Sequence, residues 1–249
     1  MDIQNQHNSS TDLSLIQPVE QTQLRSFMAN VFTLMFVALG ISALFAYLFA
    51  TTPELSNYLI NDTHTNLNAL GFIVMFAPLG FVLLMSLGFS KLSAPVLMVL
   101  FIVYAAITGI SFSFILQQYA ASSVLGCFLS AAVMFGVMAV MGYTTKQDLT
   151  KFGRILIMGL IGIIIASLIN LFMGSATMDY LISFIGVMIF TGLTAYDVQK
   201  LKNIGTGIQY ADVPASDVKK ISIMGALNLY LDFINLFLFL LRLFGGRRN

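Results

Sequence analysis

The chain has 249 residues and a formal net charge of +1, with 58% hydrophobic and only 9% charged residues. Soluble domains carry about 25% charged residues, so this composition excludes a soluble globular protein. It indicates a polytopic membrane protein, for which the lipid bilayer is the main partner. A nucleic acid partner is not expected.

The N-terminal segment 1–24 is polar and rich in Asn, Gln and Ser, which is typical of a disordered leader. It lacks the basic start, short apolar run and cleavage site of a secretory signal peptide. We therefore predict a disordered cytoplasmic tail over residues 1–24 and a transmembrane domain over residues 25–249.

Seven apolar segments follow, each close to the roughly 20 residues that a helix needs to cross the hydrocarbon core. The predicted fold is therefore all-α, a bundle of seven transmembrane helices with no soluble domain of useful size. The predicted spans are residues 27–50, 69–90, 95–117, 122–143, 155–174, 180–199 and 226–244. Residues 203–222, which contain Pro214, are predicted as a long internal loop.

Charged residues divide the predicted loops between the two sides of the membrane. Lys and Arg gather in alternate loops, and the positive-inside rule makes that side cytoplasmic together with the N-terminus. The opposite loops carry no Lys or Arg but three acids: Glu54, Asp62 and Asp179. Seven full crossings then leave the C-terminus outside, with Arg242, Arg247 and Arg248. The alternative is a re-entrant last segment that returns to the cytoplasm.

Two acids lie within the predicted spans, Asp197 near the end of the sixth and Asp232 inside the seventh. An ionised carboxylate in hydrocarbon costs about 2.5–3.5 kcal/mol, so each acid needs a partner, a proton or water. Counting 1.5 Å per residue places both at a similar depth. We expect the two carboxyl groups to lie within hydrogen-bonding reach and to share one proton near neutral pH. The alternative is that Asp197 extends to the interface while Asp232 bonds Asn228 or the backbone.

Polar residues also mark one face of the seventh predicted span. Asn228, Asp232, Asn235 and Arg242 follow each other at steps of four, three and seven, which places them on one side of a helix. We expect that face to point into the bundle. The two aspartates, with the amide oxygens of the two asparagines, offer a sparse set of oxygen ligands that would bind a hard dication weakly and transiently. These residues favour a cation without selecting calcium.

Three stretches resemble the Bax inhibitor-1 family of seven-helix membrane proteins in its bacterial form. They are LNLYLDFINLFLFLLRL in the seventh span, AYDVQKLK at the end of the sixth and the linker GYTTKQDLTKFG. The resemblance runs from Arg25 onward and is most specific in LYLDFINLF. It implies a central seventh helix wrapped by the other six, a pH sensor at Asp197 and Asp232, and a calcium leak that changes with protonation.

The resemblance also implies a basic latch for the aspartate pair. The family has an arginine there, whereas the matching position in this chain falls near Lys91. Lysine keeps the charge but loses the planar fork that grips two carboxylates at once. A weaker or differently built latch is therefore expected.

The sequence thus predicts a pH-sensitive calcium leak channel of the bacterial plasma membrane, without a cofactor and without enzymatic activity. The first alternative is an interaction protein, because some bacterial relatives are implied to restrain a membrane-anchored ATP-dependent protease. The second is an intramembrane aspartyl protease, which Tyr196 before Asp197 suggests. That signature is incomplete, because Leu-Tyr-Leu rather than Gly-x-Gly precedes Asp232. Metal catalysis is not expected, since His7 and His64 both lie outside the predicted spans.

Overall fold

The structure is a computed structural model that describes residues 4–60, 67–211 and 213–246. Within these ranges the chain forms eight helices and no strand longer than an isolated bridge. The helices are α1 Gln4–Thr51, α2 Pro53–Asn57, α3 Ala69–Gly88, α4 Ala94–Gln118, α5 Ala121–Thr144, α6 Thr150–Met173, α7 Ala176–Tyr210 and α8 Ala215–Phe244. Four residues used in the sequence analysis lie outside the described ranges: Asp62, His64, Arg247 and Arg248.

Seven of the described helices are long and apolar enough to cross a membrane, and only the short α2 is not. This confirms the predicted all-α fold with seven spans. The first span begins at Thr22, whereas α1 itself begins at Gln4. The structure therefore continues the helix through residues 4–21, where the sequence predicted disorder, because extending a formed helix adds one hydrogen bond for each residue fixed.

The C-terminal helix α8 lies at the centre of the bundle. It packs against α1, α4, α5 and α7, while α3 packs against α4 and α6 against α7 at the periphery. In the most apolar window of each span, 67% of the α8 residues are buried, compared with 11% in α3 and in α6. The outer helices can leave Leu, Ile and Phe exposed because lipid tails are as apolar as these side chains. The predicted central position of the last helix is confirmed.

Two glycines allow neighbouring helices to approach closely. A Cβ atom added at Gly109 of α4 would overlap the backbone of Ser42 in α1, and one added at Gly142 of α5 would overlap the backbone of Ala195 in α7. Small residues at such points let transmembrane helices pack by backbone contact, where no hydrophobic effect drives association. These two contacts fix α1 to α4 and α5 to α7.

The predicted long loop over residues 203–222 is wrong. Helix α7 continues to Tyr210 and α8 begins at Ala215, so the connection is only residues 211–214. Tertiary packing stabilises the extension of α7 despite its glycines. An added Cβ at Gly205 would meet side chains of α1, which shows how closely α1 and α7 pack there. The break falls at Pro214, which caps α8 and cannot continue a helix from the residue before it.

The substitution Gly142→Ala tests the close contact between α5 and α7. The new methyl group meets backbone rather than a flexible side chain, so we expect the free energy of unfolding to fall by about 1–3 kcal/mol. The matched control is Gly136→Ala on the same helix, where nothing from another part of the protein lies within 4 Å of the added Cβ. Denaturant unfolding in one detergent measures both variants, and equal stability would contradict the proposed contact.

Candidate functional site

The two membrane acids meet between α7 and α8. Asp232 is only 5% exposed and Asp197 is half-buried, and their side chains are in hydrogen-bonding contact. An ionised carboxylate can only accept hydrogen bonds, so a bond between two carboxyl groups requires that one of them carry a proton. The Oδ2 atom of Asp232 has no hydrogen-bond partner among the described residues. Asp197 and Asp232 thus form a polar contact between α7 and α8.

A cavity of about 450 Å³ gives access to the pair from the end of the bundle that carries Lys200. Residues of α3, α7 and α8 line it, including Asp197, Lys200 and Asn228. Asp197 thus contacts both the cavity and the buried Asp232. Because Lys200 is exposed, its ammonium group can remain hydrated while its charge acts on Asp197.

The structure does not place Lys91 in this cavity. Lys91 is exposed in the turn after α3, and Ser86 and Phe89 are the α3-side residues that line the cavity. The cation whose charge acts on Asp197 is Lys200. It lies three residues after Asp197 on the same helix, where positions i and i+3 share a face. The sequence analysis gave Lys200 no role in the site.

The predicted polar face of α8 does not point uniformly into the bundle. Asp232 is buried and Asn235 is half-buried, with its amide donating to the backbone oxygen four residues earlier at 2.8 Å. Asn228 is exposed and faces the cavity described above. Arg242 is also exposed and lies 3.7 Å from Asp179 at the opposite end of the bundle. Helical spacing placed these residues on one side, but α8 is longer than the part that the other helices surround.

A second buried polar contact, which the sequence analysis missed, joins α8 to α1 and α4. The Ser42 hydroxyl donates to the backbone oxygen of Ala105 at 2.7 Å, and its oxygen lies 2.7 Å from the Tyr230 hydroxyl oxygen. Because serine has one proton to donate, Tyr230 is the donor in the second bond. Ser42 is 3% exposed and Tyr230 is fully buried, with Phe101 and Tyr104 packed edge-on against its ring.

Tyr230 and Asp232 connect opposite sides of α8 to the rest of the bundle. Two residues of an α-helix correspond to a rotation of about 200°, so these side chains leave the helix in nearly opposite directions. Tyr230 reaches α1 through Ser42, and Asp232 reaches α7 through Asp197. A rotation of α8 would therefore disturb both contacts together.

The helix that carries Asp197 is also fixed to the linker between α5 and α6. Gln199 is buried, accepts from the Leu149 backbone N–H at 2.8 Å and donates to the Gln147 backbone oxygen at 2.7 Å. One side chain thereby satisfies two backbone groups of the linker. The quoted stretches TTKQDL and AYDVQKLK contain both partners, although neither sequence predicts the contact alone.

Charged groups hold both ends of the same linker. Lys202 donates to the Tyr143 backbone oxygen at 2.8 Å, and its nitrogen lies 5.3 Å from the centre of the Tyr143 ring. At the other end, hydrogen bonds from the Thr150 side chain and backbone lower the pKa of the Asp148 carboxyl. A negative charge at this position favours the N-terminus of α6.

No group of three or more His, Cys, Asp or Glu residues that could hold a metal ion occurs in the described part of the chain. Calcium is usually held by six to eight oxygen ligands. Asp197 and Asp232 alone supply fewer oxygen ligands than this, and their role in weak, transient calcium binding stays a prediction.

The fold and the site together define an integral membrane protein of seven helical spans with a carboxyl pair at the centre of the bundle. The model of the family described as inhibitor of apoptosis-promoting Bax1 (Bax1-I) matches residues 24–249. The chain belongs to this family, which confirms the resemblance found in the sequence.

Relatives similar to this chain occur in several bacteria. The inner membrane protein YbhL of Escherichia coli is 44% identical over 94% of this chain and 97% of its own length. An uncharacterized protein of Borreliella burgdorferi is 41% identical over 95% of this chain and 99% of its own length. One of Rickettsia prowazekii is 40% identical, covering 91% and 92% of the two chains. The similarity therefore covers the whole bundle.

The contact between Ser42 and Tyr230 is tested by a double-mutant cycle with Ser42→Ala and Tyr230→Phe. Each single variant removes the hydrogen bond and leaves the packed volume nearly unchanged, and membrane hydrogen bonds have coupling energies of about 0.6 kcal/mol and at most about 1.7. We expect a positive coupling in this range from unfolding in detergent. Tyr180→Phe at an exposed position is the control, and a coupling of zero would contradict the bond.

Proposed function

We propose that this chain is a pH-sensitive calcium leak channel of the bacterial plasma membrane, gated by Asp197 and Asp232. The observation that carries the proposal is the contact between the two carboxyl groups, one of which lines a cavity while the other is buried in the bundle. YbhL is named an inner membrane protein, which supports the plasma membrane as the location. In this proposal calcium is the transported ion, and the chain has no cofactor and no catalytic residue.

The cavity beside Asp197 forms the inner entrance of the proposed pathway. A cation that enters there meets the Asp197 carboxyl and the Asn228 amide before it reaches the buried part of α8. Beyond Asp232, α8 carries buried apolar side chains such as Phe233 and Leu236. A dry, apolar segment blocks ions until water enters it. In this proposal the structure corresponds to the closed state.

In the proposed mechanism, the protonation state of Asp197 and Asp232 controls whether the pathway is open or closed. With one shared proton the two carboxyl groups attract each other and hold α7 against α8. When the proton is lost, two like charges face each other in a low dielectric, which is strongly unfavourable. The charged groups that act on the pair are the two carboxyls themselves and Lys200. Ionised carboxylates are also the oxygen ligands that calcium prefers, so one proton controls both helix contact and ion binding.

Transient binding suits a pathway better than a storage site. The two carboxylates would be assisted by amide oxygens of Asn228, in the cavity, and of Asn235, one turn beyond Asp232. Conduction requires binding that is favourable enough for entry and weak enough for exit. Lys91 does not line the cavity beside Asp197. In the proposed mechanism, Lys200 takes the latch role that the resemblance implied for Lys91.

Calcium flux into liposomes across a pH series tests the gate with wild type, Asp197→Asn and Asp232→Asn. Either substitution leaves a single acid with no carboxyl partner, so the coupled titration of the pair disappears. We expect flux above empty liposomes for the wild type, with a pH dependence that both variants lose. Asparagine has nearly the shape of aspartate, so the helix packing is retained.

The matched control is Asp217→Asn, at an acid of the same helix that pairs with Lys220 at the surface. This variant should keep the pH profile of the wild type. Three superimposable profiles for the wild type and the two pair variants would make the carboxyl pair purely structural. No flux above empty liposomes would favour the alternative role, binding to a membrane-anchored ATP-dependent protease, which co-purification would then test.

Orientation is tested separately by reporter fusions. Helix α8 has 30 residues and is about 45 Å long, which exceeds the roughly 30 Å of the hydrocarbon core. A continuous helix of this length favours a full crossing over a re-entrant segment. We expect external signals from fusions after Asn249 and within residues 55–65, and a cytoplasmic signal from a fusion at the N-terminus. A cytoplasmic signal at Asn249 would contradict the seventh crossing.

A further inference from the structure

A second and larger cavity, of about 540 Å³, lies toward the opposite end of the bundle from the cavity beside Asp197. Helices α1, α4, α5 and α8 contribute its walls. Its outer end is marked by Thr51, the last residue of α1, and Ala121, the first residue of α5. Its deep end is marked by Leu39 and Ser42. We refer to this space as the outer cleft.

The outer cleft is continuous with the lipid-facing surface of the bundle. Among the described residues, α1 packs closely against α4 and α8, and α5 against α7 and α8, but α1 and α5 are not a closely packed pair. The gap between α1 and α5 is therefore not closed by helix contact. Tyr47 on one wall is 63% exposed and Leu125 on the other is 60% exposed. Both side chains belong to the surface that contacts the bilayer.

The lining of the outer cleft is apolar and carries no charged side chain. At its deep end the Ser42 hydroxyl is already occupied by Ala105 and Tyr230. Other hydrogen-bonding side chains lie nearer the outer end, where Thr51 and Gln117 belong to the last turns of their helices. The cleft therefore has a polar mouth and an apolar interior.

The dimensions of the outer cleft limit what it can hold. Leu39 and Thr51 are twelve residues apart on one helix, which corresponds to about 18 Å and roughly matches one leaflet of a hydrocarbon core of about 30 Å. The depth of the cleft therefore corresponds to an extended hydrocarbon chain of one leaflet.

We propose that the outer cleft binds one acyl chain of a phospholipid from the surrounding bilayer. The chain enters between α1 and α5, and its ester and headgroup region lies at the mouth beside Thr51 and Gln117. Its tail ends against Ser42, whose hydrogen bond with Tyr230 joins α1 to α8. A bound chain would therefore support the bundle where α1 and α5 do not contact each other. This inference does not rest on the calcium leak.

Photolabelling of the full chain in liposomes tests the proposal. The probe is a phosphatidylcholine with a diazirine on one acyl chain, and the labelled peptides are mapped by mass spectrometry after irradiation. Bulk lipid labels side chains in proportion to exposure, including Leu79 of α3 and Ile165 of α6. A bound acyl chain should label the buried Leu39 and Phe237, which line the cleft, several-fold above what their exposure predicts.

Variants that fill the cleft provide the second part of the test. Ala43→Phe on one wall and Val124→Phe on the other should each reduce labelling of Leu39 several-fold. The matched control Leu44→Phe adds a ring on the lipid-facing side of the same helix, outside the cleft, and should leave the labelling unchanged. Labelling that merely follows exposure in the wild type would overturn the proposal, as would undiminished labelling of Leu39 in both filled variants with melting temperatures near that of the wild type.

Discussion

The central constraint on this bundle is the carboxyl group of Asp232 in the middle of an apolar helix. Exposure to lipid would cost about 2.5–3.5 kcal/mol if the group were ionised, so α8 must be covered at that point by other helices. Helix α7 provides this cover and also a polar partner, Asp197. The most buried of the described helices and the most buried of the described acids therefore occur together for one physical reason.

The second contact of α8 makes its position unique rather than merely central. A helix held only by apolar packing can rotate among similar arrangements, because Leu and Phe on different faces are nearly equivalent. Tyr230 bonded to Ser42 on one side and Asp232 in contact with Asp197 on the other define a single rotation. The two contacts differ in kind, since the hydroxyl bond is insensitive to pH near neutrality whereas a carboxyl pair depends on one proton. In the proposed gate, loss of that proton would weaken the contact with α7 and leave the contact with α1 unchanged.

The sequence predicted the features that follow from hydrophobicity and depth. The number of spans and the joint depth of Asp197 and Asp232 rest on where a charge can be tolerated in lipid. The central last helix was implied by the resemblance to the Bax inhibitor-1 family. The sequence did not predict the features that depend on contacts between distant helices. Lys91 and Lys200 are equally basic in the sequence, and only the packing of α3 against α4 and of α7 against α8 decides which one faces the carboxyl pair.

The same distinction explains two further differences between prediction and structure. The polar stretch 203–222 reads as a loop because it leaves the membrane, but contacts with α1 support its helical continuation. The sequence analysis did not single out Ser42 or Tyr230, because a hydroxyl in a transmembrane segment commonly bonds to its own helix. In the structure Ser42 bonds to other helices instead, so its role becomes visible only when three helices are placed together.

The two ends of the bundle offer different environments to an ion, and this difference bears on any leak. The cavity beside Asp197 is lined by Asp197, Lys200 and Asn228, whereas the lining of the outer cleft contains no charged group. In the proposed leak, a cation that reaches Asp232 would have exchanged part of its hydration shell for carboxylate oxygen, and the outer cleft offers no charged ligand to replace those oxygens. Passage therefore requires water in the outer half of the bundle. An acyl chain and a column of water cannot occupy the same cleft, so a bound lipid would favour the closed state, and the proton at the carboxyl pair and the lipid in the outer cleft would control the two halves of one pathway.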